Sequence, residues 1–501
     1  MRLGFLACLA ALVSTGGASA LELTEIGSYE TGLASRAATG PFAFSPVSQF
    51  FYVVNAADSA VDLLRLDEGA IVKTGSWDAA ALGGAPSAVA AWGEYIAVAV
   101  DAGMDLGHVI LFDSAGARLG LVRAGVNPKS IAFSPDGRMI GVANEGRPAP
   151  DYATDPEGSV TLLAVNGLAA RQIGFGGVAR EDLDRSVHFA APAGTTLAQD
   201  FEPEGIAFSP DSATLYVTLQ ENNALAIIDV QSGRISSVAG MGYADFSATT
   251  VDVSASDGGI HLTNWPVLSM NQPAGIASFA WGGRTFLVTA NEGDKRDGDF
   301  YSEFTTVGAL TLDPVLYPDH EALQAPEALG GFSTTTARGD ADGDGDVDTI
   351  FGFGGRNFSI LDAGGAHVYD PGSRIERHIA AARPDIFNSY GEAASFDLAS
   401  GDLGIAPHGL AIASILGRAY LFIGVQRPGG IAMFEIQAPD RARWAGYYNR
   451  NDGLGSVAEG SAGPSGPRDL AFIPAAQSPT GDDLLAVSYA ASGSFAVYRL
   501  D

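Results

Sequence analysis

A strand–turn–strand unit that recurs along the chain constrains this sequence more than any other feature. Ile131-Ala-Phe-Ser-Pro-Asp-Gly-Arg leads into Met139-Ile-Gly-Val-Ala-Asn, and Ile206-Ala-Phe-Ser-Pro-Asp-Ser-Ala leads into Leu215-Tyr-Val-Thr-Leu. Phe42-Ala-Phe-Ser-Pro leads into Phe51-Tyr-Val-Val-Asn, then Val61-Asp-Leu-Leu-Arg-Leu-Asp. Looser copies start near Pro86, Pro273, Pro407 and Gly466, and a more divergent eighth contains Ile350-Phe-Gly-Phe-Gly-Gly-Arg-Asn-Phe-Ser-Ile-Leu-Asp. Each copy has the same logic. A β-branched or aromatic run makes a strand, and Ser-Pro-Asp-Gly makes a tight turn because Pro presets φ and Gly or Asp accepts the turn geometry. Further strands follow. Small sheets of this kind have exposed edges, and radial packing leaves only short, protected ones. The pattern predicts an all-β chain: a single β-propeller of YVTN/WD40-like type with seven or eight blades and insertions. A β-sandwich or a solenoid is the alternative. Eight units are counted, and seven blades result if one unit is an insertion. Helical periodicity is weak apart from short stretches such as 376–382. Residues 21–29 are expected to supply the strand that closes the ring.

A repeat architecture also accommodates the length. The chain has 501 residues, more than one ordinary core holds, but each repeat buries itself against its neighbours. Residues 1–20 read as a secretory signal peptide: Arg2, an apolar run from Leu3 to Val13, and Ala18-Ser-Ala20 before the cleavage point. That run is too short to span a bilayer. Cys8, the only cysteine, has just seven residues before it and apolar sequence beyond it. Removal with the leader is therefore expected over lipidation, leaving no thiol and no disulfide. The chain ends in Phe495-Ala-Val-Tyr-Arg-Leu-Asp501, which reads as a final strand and predicts no C-terminal anchor. Residues 21–501 are expected to form the propeller, secreted or periplasmic and without membrane insertion after leader cleavage.

The net charge of −30 argues against nucleic acid and anionic lipid as partners and favours cations. Outside the cytoplasm, calcium is the expected one. The sharpest local motif is Asp340-Ala-Asp342-Gly-Asp344-Gly-Asp346-Val-Asp348, in an insertion around residues 331–350. Alternating carboxylates of this kind can wrap one hard cation, with Gly345 at the sharp turn. The motif departs from a full EF-hand: its twelfth position is Phe351 rather than Glu, and no flanking helix pair is evident. The competing reading is a solvated acidic turn.

A second group is more diffuse. Asn144-Glu145-Gly146 and Asn291-Glu292-Gly293-Asp294 follow equivalent strands, Glu202-Pro-Glu204-Gly205 precedes one, and Glu221-Asn-Asn follows another. In a propeller such positions converge at one end of the axis. Glu145, Glu202, Glu204, Glu292 and Asp294 are thus candidates to bind a metal or to act as acid and base. Alternatively each caps turn amides within its own blade. Arg356 and Arg427 follow Gly-rich strands and could pair with these carboxylates or hold a phosphate. Nucleophile-elbow, zinc-protease and P-loop motifs are missing from the sequence.

Together these motifs resemble the choice-of-anchor I domain family. The resemblance runs through Asp155-Pro-Glu-Gly-Ser-Val, Asp200-Phe-Glu-Pro-Glu-Gly-Ile-Ala-Phe-Ser, Phe353-Gly-Gly-Arg-Asn-Phe-Ser-Ile-Leu-Asp and Gly417-Arg-Ala-Tyr-Leu-Phe-Ile-Gly-Val-Gln-Arg-Pro-Gly-Gly-Ile to Asp469-Leu-Ala-Phe-Ile-Pro-Ala. The family includes proteins similar to the mesenchyme-specific cell-surface glycoprotein of biomineralising animals, and bacterial atypical alkaline phosphatases. It implies an exported, calcium-binding propeller of seven-bladed, YVTN-like type. The chain departs from the family late in its length: Ala406-Pro-His408-Gly stands in place of a second Glu-Pro-Glu-Gly, and Gly466-Pro-Arg468-Asp in place of Gly-Pro-Glu-Gly. A binding or structural role engaging a surface partner is therefore expected. A metal-dependent phosphomonoesterase is the alternative, with a phosphomonoester as substrate.

Overall fold

The computed structural model describes residues 21–501; the leader predicted at 1–20 lies outside the described residues. Seven four-stranded antiparallel sheets follow one another along the chain. Their inner strands are Phe42–Ser45, Ala85–Trp92, Pro128–Phe133, Pro203–Phe208, Gly275–Trp281, Pro407–Ile415 and Pro467–Ile473. Numbered in that order, blades 1 to 6 run outward from the inner strand to a fourth, outer one. Blade 7 takes its outer strand from the other end of the chain. Leu23–Glu30 pairs antiparallel with Ser494–Leu500, from Leu23 opposite Leu500 to Glu30 opposite Ser494. This clasp closes the ring where the sequence placed it.

The turns form for the reason their residues suggested. In blade 3, Ser134 Oγ donates to Asp136 Oδ1 at 2.6 Å and accepts from Met139 N at 3.0 Å, while Gly137 takes φ 70°. In blade 4, Ser209, Asp211 and Thr214 repeat the arrangement at 2.6 and 2.9 Å. The middle strands are sealed on both faces: Leu215–Leu219 of blade 4 is buried throughout. Unbroken apolar runs, rather than alternation, are what a strand between two neighbouring blades requires.

The packing counts the blades. Seven apolar clusters each join two neighbouring blades, from blades 1 and 2 around to blades 7 and 1. Each fully buried Val, Leu, Ile or Phe in them contributes about 1.5–3 kcal/mol. An eighth cluster, which includes Phe246, Val267, Leu329, Phe332 and Ile350, belongs to a separate five-stranded sheet. The eighth sequence unit is divided between that inserted sheet and blade 5, and forms no blade of its own. Ile350–Phe353 lies in the inserted sheet beside Val267–Met270, whereas Asn357–Asp362, four residues on, is the third strand of blade 5. The segment interrupting blade 5 runs from 292 to 356, wider than the predicted 331–350.

At five of the seven seams neighbouring inner strands approach closely. A Cβ on Gly205 would lie 2.5 Å from the Ala274 carbonyl oxygen, on Gly275 2.3 Å from that of His408, and on Gly409 2.2 Å from that of Arg468. No larger residue fits there without a backbone shift. Elsewhere the same contact is polar: Ser130 Oγ donates to the Glu204 carbonyl at 2.6 Å, and Phe42 N donates to Asp469 Oδ2 at 3.1 Å. Among the described residues no helix is long and apolar enough to cross a membrane.

Candidate functional site at the axial mouth

Each inner strand starts opposite the end of its blade's second strand: Pro128 faces Asn144, Pro203 faces Leu219 and Pro407 faces Val425. Residues before the one and after the other therefore gather at a single end of the axis. Gly40, Ser87, Lys129, Glu204, Ala274, His408 and Arg468, one from each blade, line a channel of about 560 Å³.

The Asn-Glu-Gly segments work in two directions. Asn144 turns away from the axis into its own blade, its amide donating to Ser159 Oγ and Thr161 Oγ1 at 3.2 and 3.0 Å. Asn291 does the same to Asn357 Oδ1 and Ser359 Oγ at 2.7 and 2.8 Å. With the asparagine anchored on the third strand, the following glutamate is delivered to the mouth.

Around blades 3 to 5 the mouth is acidic. Lys129 Nζ lies 2.6 Å from Glu204 Oε1 and 3.1 Å from Glu145 Oε1, and Arg147 bonds the same Glu145 oxygen at 2.7 Å. The Lys129 ammonium is held well above its usual range: burial opposes the charge, but Glu204 and Glu145 outweigh it. Arg296, 8% exposed, reaches Glu202 Oε1 and Asp200 Oδ1 at 3.2 Å each and the Asp200 carbonyl at 2.7 Å. Burial, only partly offset by Arg296, raises both carboxyls above their ordinary values. Asp294 is pushed up to about 7 by burial and by Glu204.

Glu221 is the extreme case. It is 6% exposed, its Oε2 is sealed without a hydrogen-bond partner, and burial together with Glu202, Glu204 and Asp294 raises its carboxyl well above the usual range. Glu145, Glu204 and Glu221 each offer an oxygen within 4.8 Å of the others.

Toward blade 6 the mouth is a set of ion pairs. His408 Nδ1 and Gln426 Nε2 each contact Glu292 at 2.7 Å. Burial alone would raise the Glu292 carboxyl, but His408, Arg468 and Arg427 hold it below its usual range. Lys295 and Arg427 both bond Asp402 at 2.9 Å.

Of the sequence candidates, Glu145, Glu202, Glu204, Glu292 and Asp294 do meet at this end. Arg356 does not join them. It is buried beside the inserted sheet, donating to the Asp252, Ser400 and Asp402 carbonyls at 2.6–2.8 Å and pairing with Glu376 at 3.2 Å. Its φ of 55° places it in the left-handed region at the junction between the inserted sheet and blade 5. Arg296 escaped sequence reasoning because its partners lie 94 and 96 residues away. The five aspartates of the insertion loop form two groups: Asp340 with Asp342 and Asp344, and Asp346 with Asp348 and Asp313. The Leu312–Val347 bridge draws the second pair toward Asp313.

A family model described as "Choice-of-anchor I domain" matches residues 41–439. Gigasin-3a of Magallana gigas is 29% identical over 191 residues, covering 36% of this chain and 67% of that protein. Among solved structures, Kuenenia stuttgartiensis hydrazine synthase is similar at TM-score 0.47 and 14% identity, covering 94% of this chain and 97% of that one. The Myceliophteria thermophila Cps50 (Swd1) β-propeller domain is similar at 0.45 and 11%, covering 96% and 100%. With the matched region reaching from the inner strand of blade 1 to the third strand of blade 6, the chain belongs to the choice-of-anchor I domain family.

Proposed function

We propose that this protein is an exported, calcium-binding β-propeller that serves as a binding or structural protein at the cell exterior, with the axial mouth as its recognition face. The observation that carries this reading is the state of the charged groups at the mouth. Lys129, Arg147, Arg296, His408, Lys295 and Arg427 are each already paired with a carboxylate. A rim of fixed, opposite charges suits recognition of a complementary surface. Metal-dependent hydrolysis of a phosphomonoester would in addition need a cationic side chain free to hold the anion. The phosphomonoesterase alternative needed Arg356 at the mouth as an anion holder, and its guanidinium is spent on backbone carbonyls elsewhere.

Family membership and the leader read at 1–20 support a place outside the cytoplasm. The insertion loop supports calcium, because each of its two carboxylate groups brings three ligand oxygens together. The purified chain, given p-nitrophenyl phosphate and calcium from mildly acidic to alkaline pH, is expected to show no turnover. Calcium-dependent turnover that Glu204→Gln abolishes would overturn the binding reading.

A further inference from the structure

We propose that Glu145, Glu204 and Glu221 form a second, buried site for a hard divalent cation at the blade 3–4 side of the axial mouth, separate from the insertion loop. The site is rigidly placed. Glu145 follows the second strand of blade 3, Met139–Asn144; Glu204 lies at the start of the inner strand of blade 4, and Glu221 follows that blade's second strand, Thr214–Leu219. Their ligand oxygens come within 4.8 Å of one another, and all three residues are buried.

Two independent features point to a missing positive charge. First, Glu221 is 94% buried and its Oε2 has no donor. A folded chain seldom leaves a carboxylate oxygen sealed and unpartnered. Second, the cations in reach are engaged on other oxygens. Lys129 and Arg147 both bond Oε1 of Glu145, and Lys129 bonds Oε1 of Glu204. Arg296 is held by Asp200 and Glu202 through Nη2 and Nε, while its Nη1 has no hydrogen-bond partner. The six carboxylates at this side, with Asp200, Glu202 and Asp294 counted, thus face three cationic side chains. An all-oxygen set with residual negative charge selects calcium, or manganese of similar preference, over zinc or copper, which favour nitrogen and sulfur.

Isothermal titration of the purified chain with calcium alone and with manganese alone tests this. Removal of both insertion-loop groups by Asp342→Ala, Asp344→Ala and Asp346→Ala together is expected to leave one cation bound per chain. Adding Glu221→Gln to that variant is expected to weaken the remaining binding at least tenfold, with circular dichroism unchanged. If Glu221→Gln unfolds the chain, Glu204→Gln is the substitute and the same loss is expected. The proposal is overturned if the loop variant binds no cation. It is equally overturned if the added glutamine leaves affinity and stoichiometry unchanged, since the excess charge would then be met by protons. A wild-type chain that binds only at the axial site would refute the loop assignment and leave this one standing.

Discussion

Arg296→Ala is the sharpest probe of how the acidic mouth is held. The guanidinium reaches Glu202 and Asp200 from a buried position. Its Nη2 also donates to the Asp200 carbonyl at 2.7 Å. Truncation leaves two buried carboxylates and a carbonyl uncompensated, which costs about 3–5 kcal/mol. At about 2.1 cal/mol/K per residue, a ring of roughly 480 residues has an unfolding entropy near 1 kcal/mol/K. The expected fall in Tm is therefore about 3–5 °C.

The loss should depend on pH in a definite direction. Both carboxyls already sit above their ordinary values because of burial, and removing Arg296 raises them further. A carboxyl raised in the folded state destabilises it fully above the folded pKa. That penalty fades as pH falls toward the unfolded value of about 4, because the folded chain then takes up the proton it favours. Differential scanning calorimetry at about pH 8 and about pH 4 reads both effects. A deficit under about 1 °C at the higher pH, or an equal deficit at both, would refute the role given to Arg296.

Two further outcomes follow from the same structure. Burial pushes the Glu376 carboxyl up to about 7 against the pull of Arg356, so it should weaken the fold as pH rises from about 4.3 to about 7, by roughly 3 kcal/mol; Glu376→Gln should flatten that part of the stability profile, and an unchanged profile would contradict the assignment. Gly409→Val forces a Cβ to within 2.2 Å of the Arg468 carbonyl at the blade 6–7 seam and should lower stability by about 1–3 kcal/mol in urea unfolding, whereas the same change at Gly417, which has open space around it but φ 77°, should show backbone strain alone.

The propeller was legible because its information is local and repeated: a turn tied by Ser, Asp and Gly next to strands buried on both faces. The blade number was less so. Ile350–Phe353 and Asn357–Asp362 read as one continuous unit, yet the left-handed residues Gly354 and Arg356 send the chain from the inserted sheet into blade 5. The mouth was legible only in part. Glutamates at repeated offsets announced themselves, because the asparagine before two of them must face the third strand. Arg296 gave no such signal, since it meets its partners only after the insertion has folded back on the ring, and the same holds for the contact of Asp402 with Lys295. The late His408 and Arg468 looked like lost glutamates. His408 instead pairs with Glu292 of the neighbouring blade, and Arg468 helps to lower that carboxyl.

Calcium binding by the insertion loop is the central metal claim of the proposed function, and amide hydrogen exchange reads it at the residues concerned. Comparison of the purified chain with and without calcium should show exchange slowed across residues 340–348 and in the inserted-sheet strand Ile350–Phe353 that follows, with the protection lost in Asp342→Ala with Asp344→Ala. Identical exchange in that segment with and without the ion would contradict the account.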